Sequence, residues 1–209
     1  MKLADIRRDF KLAELSRESV NDNPFKQFEK WFSEVLNSEI IDPTAMSLAT
    51  VDESGKPNLR VVLLKEINDK GLVFFTNYKS AKGAELEANN HACINFYWAA
   101  LERQVRIQGE VKKISVEDSD EYFYSRPIES QIGGIASQQS KVLNSREGLE
   151  KSIEDIKNSG QEIKRPESWG GYTLEPTYFE FWQGRASRLH DRIAFTKEGG
   201  KWKVERLYP

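Results

Sequence analysis

The chain has 209 residues, a length that suits one large domain better than two small ones. Its 31 Lys and Arg residues nearly balance its 33 Asp and Glu residues, so the formal net charge is only −2. This balance provides no global field that would draw the protein to nucleic acid or to an anionic membrane, so any anion site must be a local cluster of cations.

The cysteine and histidine content excludes further classes of protein. Cys93 is the one cysteine, so an internal disulfide cannot form, and with two histidines a Cys/His zinc site is not expected. Cys93 lies in an apolar run and is interpreted as a small buried residue. The first residues show no apolar signal region, and no run of about 18 apolar residues is available to span a bilayer. We therefore expect a cytoplasmic protein.

Helical patterns open the chain. Apolar residues at helical spacing predict an amphipathic helix formed around Leu3, Ile6, Phe10 and Ala13. A second helix is expected after residues 21–24, with Asn23 as its cap and Pro24 in its first turn. Its apolar face comprises Phe25, Phe28, Phe32 and Val35.

From residue 45 onward, short apolar and β-branched segments separated by turn residues predict strands. These strands are expected at 45–51, 58–65, 72–76, 91–98, 102–114, 178–183, 191–196 and 202–207. Helices are expected at 81–88, 116–125, 127–136 and 146–158. Hairpin-length turns predict an antiparallel, barrel-like α+β domain dominated by β structure. Neither GxGxxG nor GxxxxGK[ST] occurs, so a nucleotide would be held without those loops.

Cations stand at both ends of the apolar segment 60–65. Arg60 and Lys65 are separated by an odd number of positions, so in a strand their side chains project from opposite faces. They can be the solvated ends of a core strand, or each can serve a different anion.

A strand end followed by a helix carries Thr76, Ser80 and Lys82. The free N–H groups at a helix N-terminus suit a phosphate, and these side chains would add donors. Capping of the helix by Ser80 explains much of the same pattern without any ligand.

Two further polar patterns have both a structural and a functional interpretation. Gln104 lies on the wet face of an alternating strand, where its amide would also suit the polar edge of a flavin ring. Tyr122, Arg126 and Ser130 can converge at a helix junction as a phosphate clamp, or Tyr122 and Arg126 can be a surface pair. Pro127 biases Arg126 away from helical geometry, so the helix is expected to end there.

The segment that follows Trp182 is the most informative. If 188–192 is extended, Arg188, His190 and Arg192 share one face. Cationic groups placed side by side repel one another unless solvent relieves the repulsion or an anionic or aromatic ligand binds there.

Taken together, these segments resemble the pyridoxine (pyridoxamine) 5'-phosphate oxidase family. Each string is common by itself, but the set runs in the family's order over nearly the whole chain. The strings are DPTAM at 42–46, RVVLLK at 60–65, LERQV at 101–105, YF at 122–123, SRP at 125–127, SQIG at 130–133, Ser137, QS at 139–140, WGG at 169–171, FWQG at 181–184 and RLHDR at 188–192.

The resemblance implies an FMN-binding split β-barrel with flanking helices, working as a homodimer that holds the flavin between its subunits. Arg60, Thr76 and Lys82 would bind the FMN phosphate. The rest of the flavin would contact the backbone of Arg60, Val61, Val62, Leu63, Leu64 and Lys65 together with Phe75, Gln104, Gln139, Ser140, Trp182 and Arg192.

The resemblance also implies a substrate site. The substrate phosphate would be held by Lys65, Tyr122, Arg126 and Ser130. Arg188 and His190 would be the catalytic residues over the pyridine ring, with Leu189 between them. Residues 1–20 would form a lid on an oxidase domain of residues 21–209, and the lid contacts would come from Arg7, Arg8, Asp9 and Phe10.

Three positions depart from the family pattern. Ala81 stands where an Arg often lies beside the flavin phosphate, so that contact is lost. Phe75 and Phe10 each replace a Tyr, and the second change removes a hydroxyl from the expected lid.

The implied chemistry is oxidation of pyridoxamine or pyridoxine 5'-phosphate to pyridoxal 5'-phosphate. Hydride would pass from substrate C4' to flavin N5, and O2 would reoxidise the flavin and yield H2O2, with ammonia released from the amine. A split-barrel flavoprotein with another substrate and a protein that only stores FMN or pyridoxal phosphate remain as alternatives. The substrate-side residues, above all Arg188 and His190, favour the oxidase.

Overall fold

The computed structural model describes residues 1, 3, 5 and 8–209. Within these residues, five helices flank one antiparallel sheet. The helices are α1 (Pro24–Leu36), α2 (Ala81–Ala88), α3 (Val116–Ser125), α4 (Ile128–Ala136) and α5 (Arg146–Asn158). The strands are β1 (Ala45–Val51), β2 (Pro57–Leu63), β3 (Glu66–Ile67), β4 (Leu72–Asn77), β5 (His91–Trp98), β6 (Arg103–Lys113), β7 (Trp169–Gln183), β8 (Asp191–Glu198) and β9 (Lys201–Leu207).

The long strand β7 organises the sheet, whose main path is β2-β1-β5-β6-β7-β4-β3. Residues 172–183 of β7 pair with β6 on one side. On its other side, its first half pairs with β4 and its second half with β8, which continues to β9. One strand therefore joins two groups of strands, as the split-barrel expectation requires.

The core lies on one face of this sheet. Phe96, Val105, Phe181 and Ile193 are paired in register across β5, β6, β7 and β8, and all four are fully buried. Helix α1 closes the core, and its Trp31 ring lies 5.2 Å from that of Phe181. Residues next to the buried row along each strand point to the opposite face, which remains open. None of the helices in the described ranges has the length and apolarity that a membrane crossing requires.

Helix α1 forms as predicted because its start is capped. The Asn23 side chain accepts a hydrogen bond of 2.9 Å from the Phe25 N–H, and Pro24 occupies the first turn. The prediction of a helix at the start of the chain is wrong for the residues that the structure describes there, because residues 8–16 are not helical. There the backbone N–H groups of Lys11 and Leu12 donate to the Glu102 carboxylate, which replaces helical hydrogen bonds.

Candidate functional site

A cavity of about 850 Å³ opens between β2, β4 and the N-terminus of α2 on one side and α3 and α4 on the other. Many residues predicted to bind ligands line it, and no described Asp or Glu does. The lining comprises Arg60, Val61, Val62, Leu63, Lys65, Phe75, Thr76, Ala81, Lys82, Tyr122, Arg126, Pro127, Ser130, Gln139, Ser140 and Trp169. Four cations therefore face one space without a carboxylate in its wall.

Lys82 is the most buried of these cations. Its Nζ lies 2.7 Å from Gln139 Oε1, 3.0 Å from Thr76 Oγ1 and 3.3 Å from Ser80 Oγ. Burial lowers the pKa of Lys82, and the nearby Arg60 charge lowers it further. Ser80 does cap α2, accepting from the Gly83 N–H, so capping and the clustering of donors occur together.

Arg60 forms an ion pair with Glu85, which does not line the cavity. Its guanidinium donates to the Glu85 carboxylate at 2.9 Å and to the Leu48 carbonyl at 3.2 Å, and it also contacts the Thr50 hydroxyl. The ion pair fixes the direction of the side chain.

The prediction that Arg60 and Lys65 point to opposite faces is wrong. Strand β2 ends at Leu63, and the Lys65 N–H then bonds to the Val73 carbonyl at 2.9 Å. Strand alternation does not apply beyond that end, and both cations line the same cavity. Leu64 is buried and does not reach the cavity wall.

Three aromatic rings with nearly parallel planes form a cluster in the cavity wall. The Phe75 centroid lies 3.9 Å from that of Tyr122 and 5.5 Å from that of Trp169, and the Tyr122 and Trp169 centroids are 6.2 Å apart. The Arg126 guanidinium lies 4.7 Å from the Trp169 ring and donates to the Ser130 carbonyl at 2.8 Å. Its Nη1 atom is buried without a hydrogen-bond partner among the described residues, and burial lowers the pKa of Arg126. A buried donor of this kind needs an acceptor, which a water molecule or a ligand can supply.

A second group of predicted residues lies on the open face of the sheet, away from the cavity. Gln104, Trp182 and Arg192 form one row across β6, β7 and β8, and we call them the open-face row. His190 packs on Trp182 with ring centroids 4.6 Å apart, and Phe10 packs on both rings at 5.8 and 5.7 Å. Within one chain these residues do not line the cavity.

The prediction that Arg188, His190 and Arg192 share the face of one extended strand is wrong. Residues Ala186–Arg188 form a tight turn in which Arg188 has φ 63°, and β8 begins only at Asp191. Arg188 and Leu189 are exposed. His190 Nδ1 instead accepts from the Arg185 N–H at 3.1 Å, which leaves Nε2 as the ring donor.

The environment of His190 favours the neutral ring. Burial lowers its pKa, the Arg188 charge lowers it further, and Asp191 opposes this effect. The hydrogen bond accepted by Nδ1 requires the same neutral state.

Arg192 is fixed by a buried carboxylate. Its Nε donates to Glu180 Oε1 at 2.9 Å, and its Nη1 donates to the Tyr208 carbonyl at 2.9 Å. Glu180 Oε2 accepts from Arg106 at 2.7 Å and from the Tyr178 hydroxyl at 3.0 Å. Glu180 is 3% exposed, so these donors replace its water.

Of the expected lid residues, Arg7 lies outside the described part of the chain. Arg8 contacts Glu102, and Phe10 contacts Trp182 and His190. Asp9 is exposed and pairs with Lys11 at 3.7 Å.

Sequence reasoning missed the residues that hold the binding side chains in place. Glu85, Glu102 and Glu180 contact arginines that lie 25, 94 and 74 positions away, so only the tertiary fold brings them together. The string WGG includes Trp169, but it does not indicate that the Trp169 ring packs on Phe75. No local pattern in the sequence indicates any of these contacts.

The fold and the cavity first define a class, the split-barrel proteins of the FMN-binding type. A "pyridoxamine 5'-phosphate oxidase-related, FMN binding protein" from Nostoc punctiforme is 17% identical, with a TM-score of 0.71 over 90% of this chain and 98% of that one. PhzG from Burkholderia lata, solved with tetrahydrophenazine-1-carboxylic acid, is 29% identical, with a TM-score of 0.88 over 92% and 95%. The predicted fold class is confirmed.

Sequence comparison then gives the family. Residues 32–160 match the family model described as pyridoxamine 5'-phosphate oxidase, and residues 169–209 match the pyridoxine 5'-phosphate oxidase C-terminal dimerisation region. The chain belongs to the pyridoxamine 5'-phosphate oxidase family. The family and the oxidoreductase class predicted from the sequence are confirmed.

Curated relatives agree along their full length. A protein from Cyanothece sp. named pyridoxine/pyridoxamine 5'-phosphate oxidase is 48% identical, covering 100% of this chain and 99% of the relative. One of the same name from Burkholderia mallei is 50% identical, covering 99% of each.

Proposed function

We propose that this protein is an FMN-dependent oxidase that converts pyridoxamine or pyridoxine 5'-phosphate to pyridoxal 5'-phosphate. The observation that carries the proposal is the cavity of about 850 Å³, lined by four cations and by no described carboxylate. Ligand sites of this size hold one or two small molecules, and cations that face one space without a carboxylate in its wall favour an anionic ligand there. The relatives' shared name supports the choice of substrate.

The donor set fits two phosphate-bearing molecules. Arg60 on β2 and Lys82 on α2 would hold the FMN phosphate with Thr76, and Gln139 and Ser140 would contact the rest of the cofactor. On the other side of the cavity, the substrate phosphate would be held by Lys65, Tyr122, Arg126 and Ser130, with the free Nη1 of Arg126 as one donor. Ala81 adds no charge at the N-terminus of α2, so the charged contacts with the FMN phosphate would come from Arg60 and Lys82.

The open-face row would complete the site from a second subunit. Val61, Asn95, Arg106 and Glu180 lie in one register row on the same face as the open-face row, which places this face beside the cavity edge at β2. Asn95 Oδ1 and Arg106 Nε are buried on this face and have no hydrogen-bond partner in the part of the chain that the structure describes. The match of residues 169–209 to a dimerisation region supports a homodimer built on this face. Gln104, Trp182 and Arg192 would then contact the partner's flavin.

The chemistry follows from positioning. When bound, FMN supplies a hydride acceptor that O2 can reoxidise with release of H2O2. The phosphate clamp would fix the substrate so that C4' faces the flavin, which uses remote binding energy to orient the reacting carbon. Arg188 would stabilise the charge that changes around C4', and neutral His190 would donate from Nε2 to the substrate. The division into a lid of residues 1–20 and an oxidase domain of residues 21–209, and a cytoplasmic location, stay predictions.

The proposal is tested by the absorption spectrum of the purified protein. We expect a yellow dimer with about one FMN per chain, and bleaching of the flavin when pyridoxamine 5'-phosphate is added without oxygen. Pyridoxine without its phosphate should be poorer by about 10² or more in kcat/KM, because the clamp residues are left unpaired. A protein that cannot take up FMN, or whose flavin neither phosphorylated vitamer reduces, refutes the assignment.

A further inference from the structure

We propose that Glu102 is a positioning residue that docks residues 8–12, here called the strap, over Trp182 and His190. Glu102 lies in the turn between β5 and β6 and is only 3% exposed. Its consequence for catalysis rests on the proposed function, but the docking itself does not depend on a cofactor or a substrate.

Both carboxylate oxygens of Glu102 are occupied by the strap. Oε2 accepts from the Lys11 N–H at 2.8 Å and from the Leu12 N–H at 3.0 Å. Oε1 accepts from Arg8 Nη2 at 3.0 Å. Each contact joins residues about 90 positions apart, and the two backbone donors have no helical partner of their own. A buried carboxylate that takes two backbone N–H groups and a guanidinium is well satisfied, and the strap is ordered by it.

The backbone of Glu102 fixes where this carboxylate points. Its φ of 54° and ψ of 37° are left-handed, a conformation that residues other than Gly rarely adopt. Its carbonyl accepts from the Gly184 N–H at 2.7 Å and from Gln183 Nε2 at 3.2 Å, which ties the turn to the end of β7. The residue that anchors the strap is therefore hydrogen-bonded to the strand end that carries the Trp182 ring.

The strap covers the candidate catalytic imidazole. The Phe10 ring lies 5.7 Å from His190 and 5.8 Å from Trp182, both nearly edge-to-face. A Cβ atom added to Gly184 would lie 2.7 Å from the Phe10 ring, so the strap uses the space left by that glycine. In the working enzyme a docked strap would shield His190 from water, and a released strap would expose it.

Limited trypsin digestion of the FMN-free protein tests the docking. Glu102→Gln removes the charge that holds two amides and Arg8, so cleavage after Lys11 should accelerate by about tenfold to a hundredfold, because proteolysis follows the population of the open segment. Gly184→Ala should produce the same acceleration by displacing Phe10 while leaving Glu102 intact. Glu14→Gln is the matched control, since Glu14 lies beside the strap and its side chain is 78% exposed where it pairs with Arg185.

Three outcomes decide the proposal. Faster cleavage after Lys11 in both variants, with an unchanged Tm and an unchanged rate of cleavage after the exposed Lys141, supports it. An unchanged rate after Lys11 overturns it, as does a general acceleration with a lowered Tm, which would make Glu102 a residue of the fold alone. In FMN-loaded protein we expect Glu102→Gln to raise the KM for the substrate and to leave the affinity for FMN unchanged. If docking fails while the flavin is still reduced by substrate, only the strap is refuted.

Discussion

Glu180 shows how one buried carboxylate can hold the side chains of the open face in place. Burial by itself would raise its pKa, but the hydrogen bond from Arg192 and the Arg106 charge outweigh burial and lower it. The group is therefore ionised in the folded protein and holds two arginines in fixed directions. Its neighbours, and not its place in the sequence, give it this role.

Replacing Glu180 by Gln should weaken FMN binding by about tenfold, because Arg192 loses a charge-assisted hydrogen bond. Glu180 contributes stability above its ordinary pKa of 4.5 and loses it as the pH falls through its lowered folded pKa. The variant should therefore lose less stability over that acidic window. Fluorescence titration with FMN and urea unfolding across pH 3–6 measure both effects. Glu175→Gln is the control, since Glu175 pairs with Lys112 at the surface; equal effects in both variants would contradict the role.

Arg188→Ala should keep its dimeric state and its FMN but lose about 10²–10³ in the rate of flavin reduction, with His190→Ala milder. Arg188 is exposed in a left-handed turn, so its side chain contributes little to packing. Single-turnover reduction without oxygen isolates this step, and Ser187→Ala in the same turn is the control. Reduction at the wild-type rate under saturating substrate would mean that Arg188 only aids binding.

At the scale of elements, α2 is positioned by contact between backbones. A Cβ atom on Gly83 would lie 2.0 Å from the Tyr78 carbonyl oxygen, so only glycine lets the first turn approach so closely. That turn carries Lys82, and a shift of the helix would move the cation away from Thr76 and Gln139.

Gly83→Ala should therefore destabilise the fold by about 1–3 kcal/mol, which lowers Tm by several degrees, and should weaken FMN binding as well. Gly133→Ala in α4 is the matched control, because nothing lies within 4 Å of its added Cβ. That change should be neutral or stabilising by up to about 1 kcal/mol. Thermal melts of the two variants check the difference, and equal Tm values would show that α2 can move without cost.

Elements were predictable where the local pattern matched the tertiary contacts. Strand β5 has the predicted bounds because its alternating side chains fill the core. The first half of β7 was not predicted, since Gly170, Gly171 and Pro176 hide the strand pattern. These glycines are required by packing, because a Cβ on Gly170 would meet the Tyr78 hydroxyl at 2.2 Å. The turn Ala186–Arg188 was missed because its left-handed residues are not glycines.

For the whole molecule, the sequence supplied the candidate ligand residues but not their division into two groups in space. Lys82 and Gln139 meet through a contact 57 positions apart, and Gln104 meets Trp182 only through strand register. A sequence does not indicate which of its binding residues face one space and which face another. We propose that a second copy of the chain, docked on the open face, joins the two groups.

Val61→Asp should therefore shift the protein towards monomer and reduce its FMN content together. Val61 is 66% exposed on the open face, and a carboxylate there would have to lose its water in the dimer. Ile41→Asp is the control, because Ile41 is 93% exposed before β1, outside the sheet. Size exclusion with light scattering and the flavin absorbance report the two effects. A monomer that keeps a full flavin content would show that one chain is enough.

The placement of Gln104, Trp182 and Arg192 away from the cavity has a genetic consequence. If each site takes its wall from one subunit and its row from the other, Arg60→Ala and Arg192→Ala chains can repair one another. A hybrid dimer then contains one doubly damaged site and one intact site. An equimolar mixture of unfolded chains, refolded together, should regain about a quarter of the wild-type activity per chain. Inactivating alleles would fall into two groups that complement between the groups and never within them.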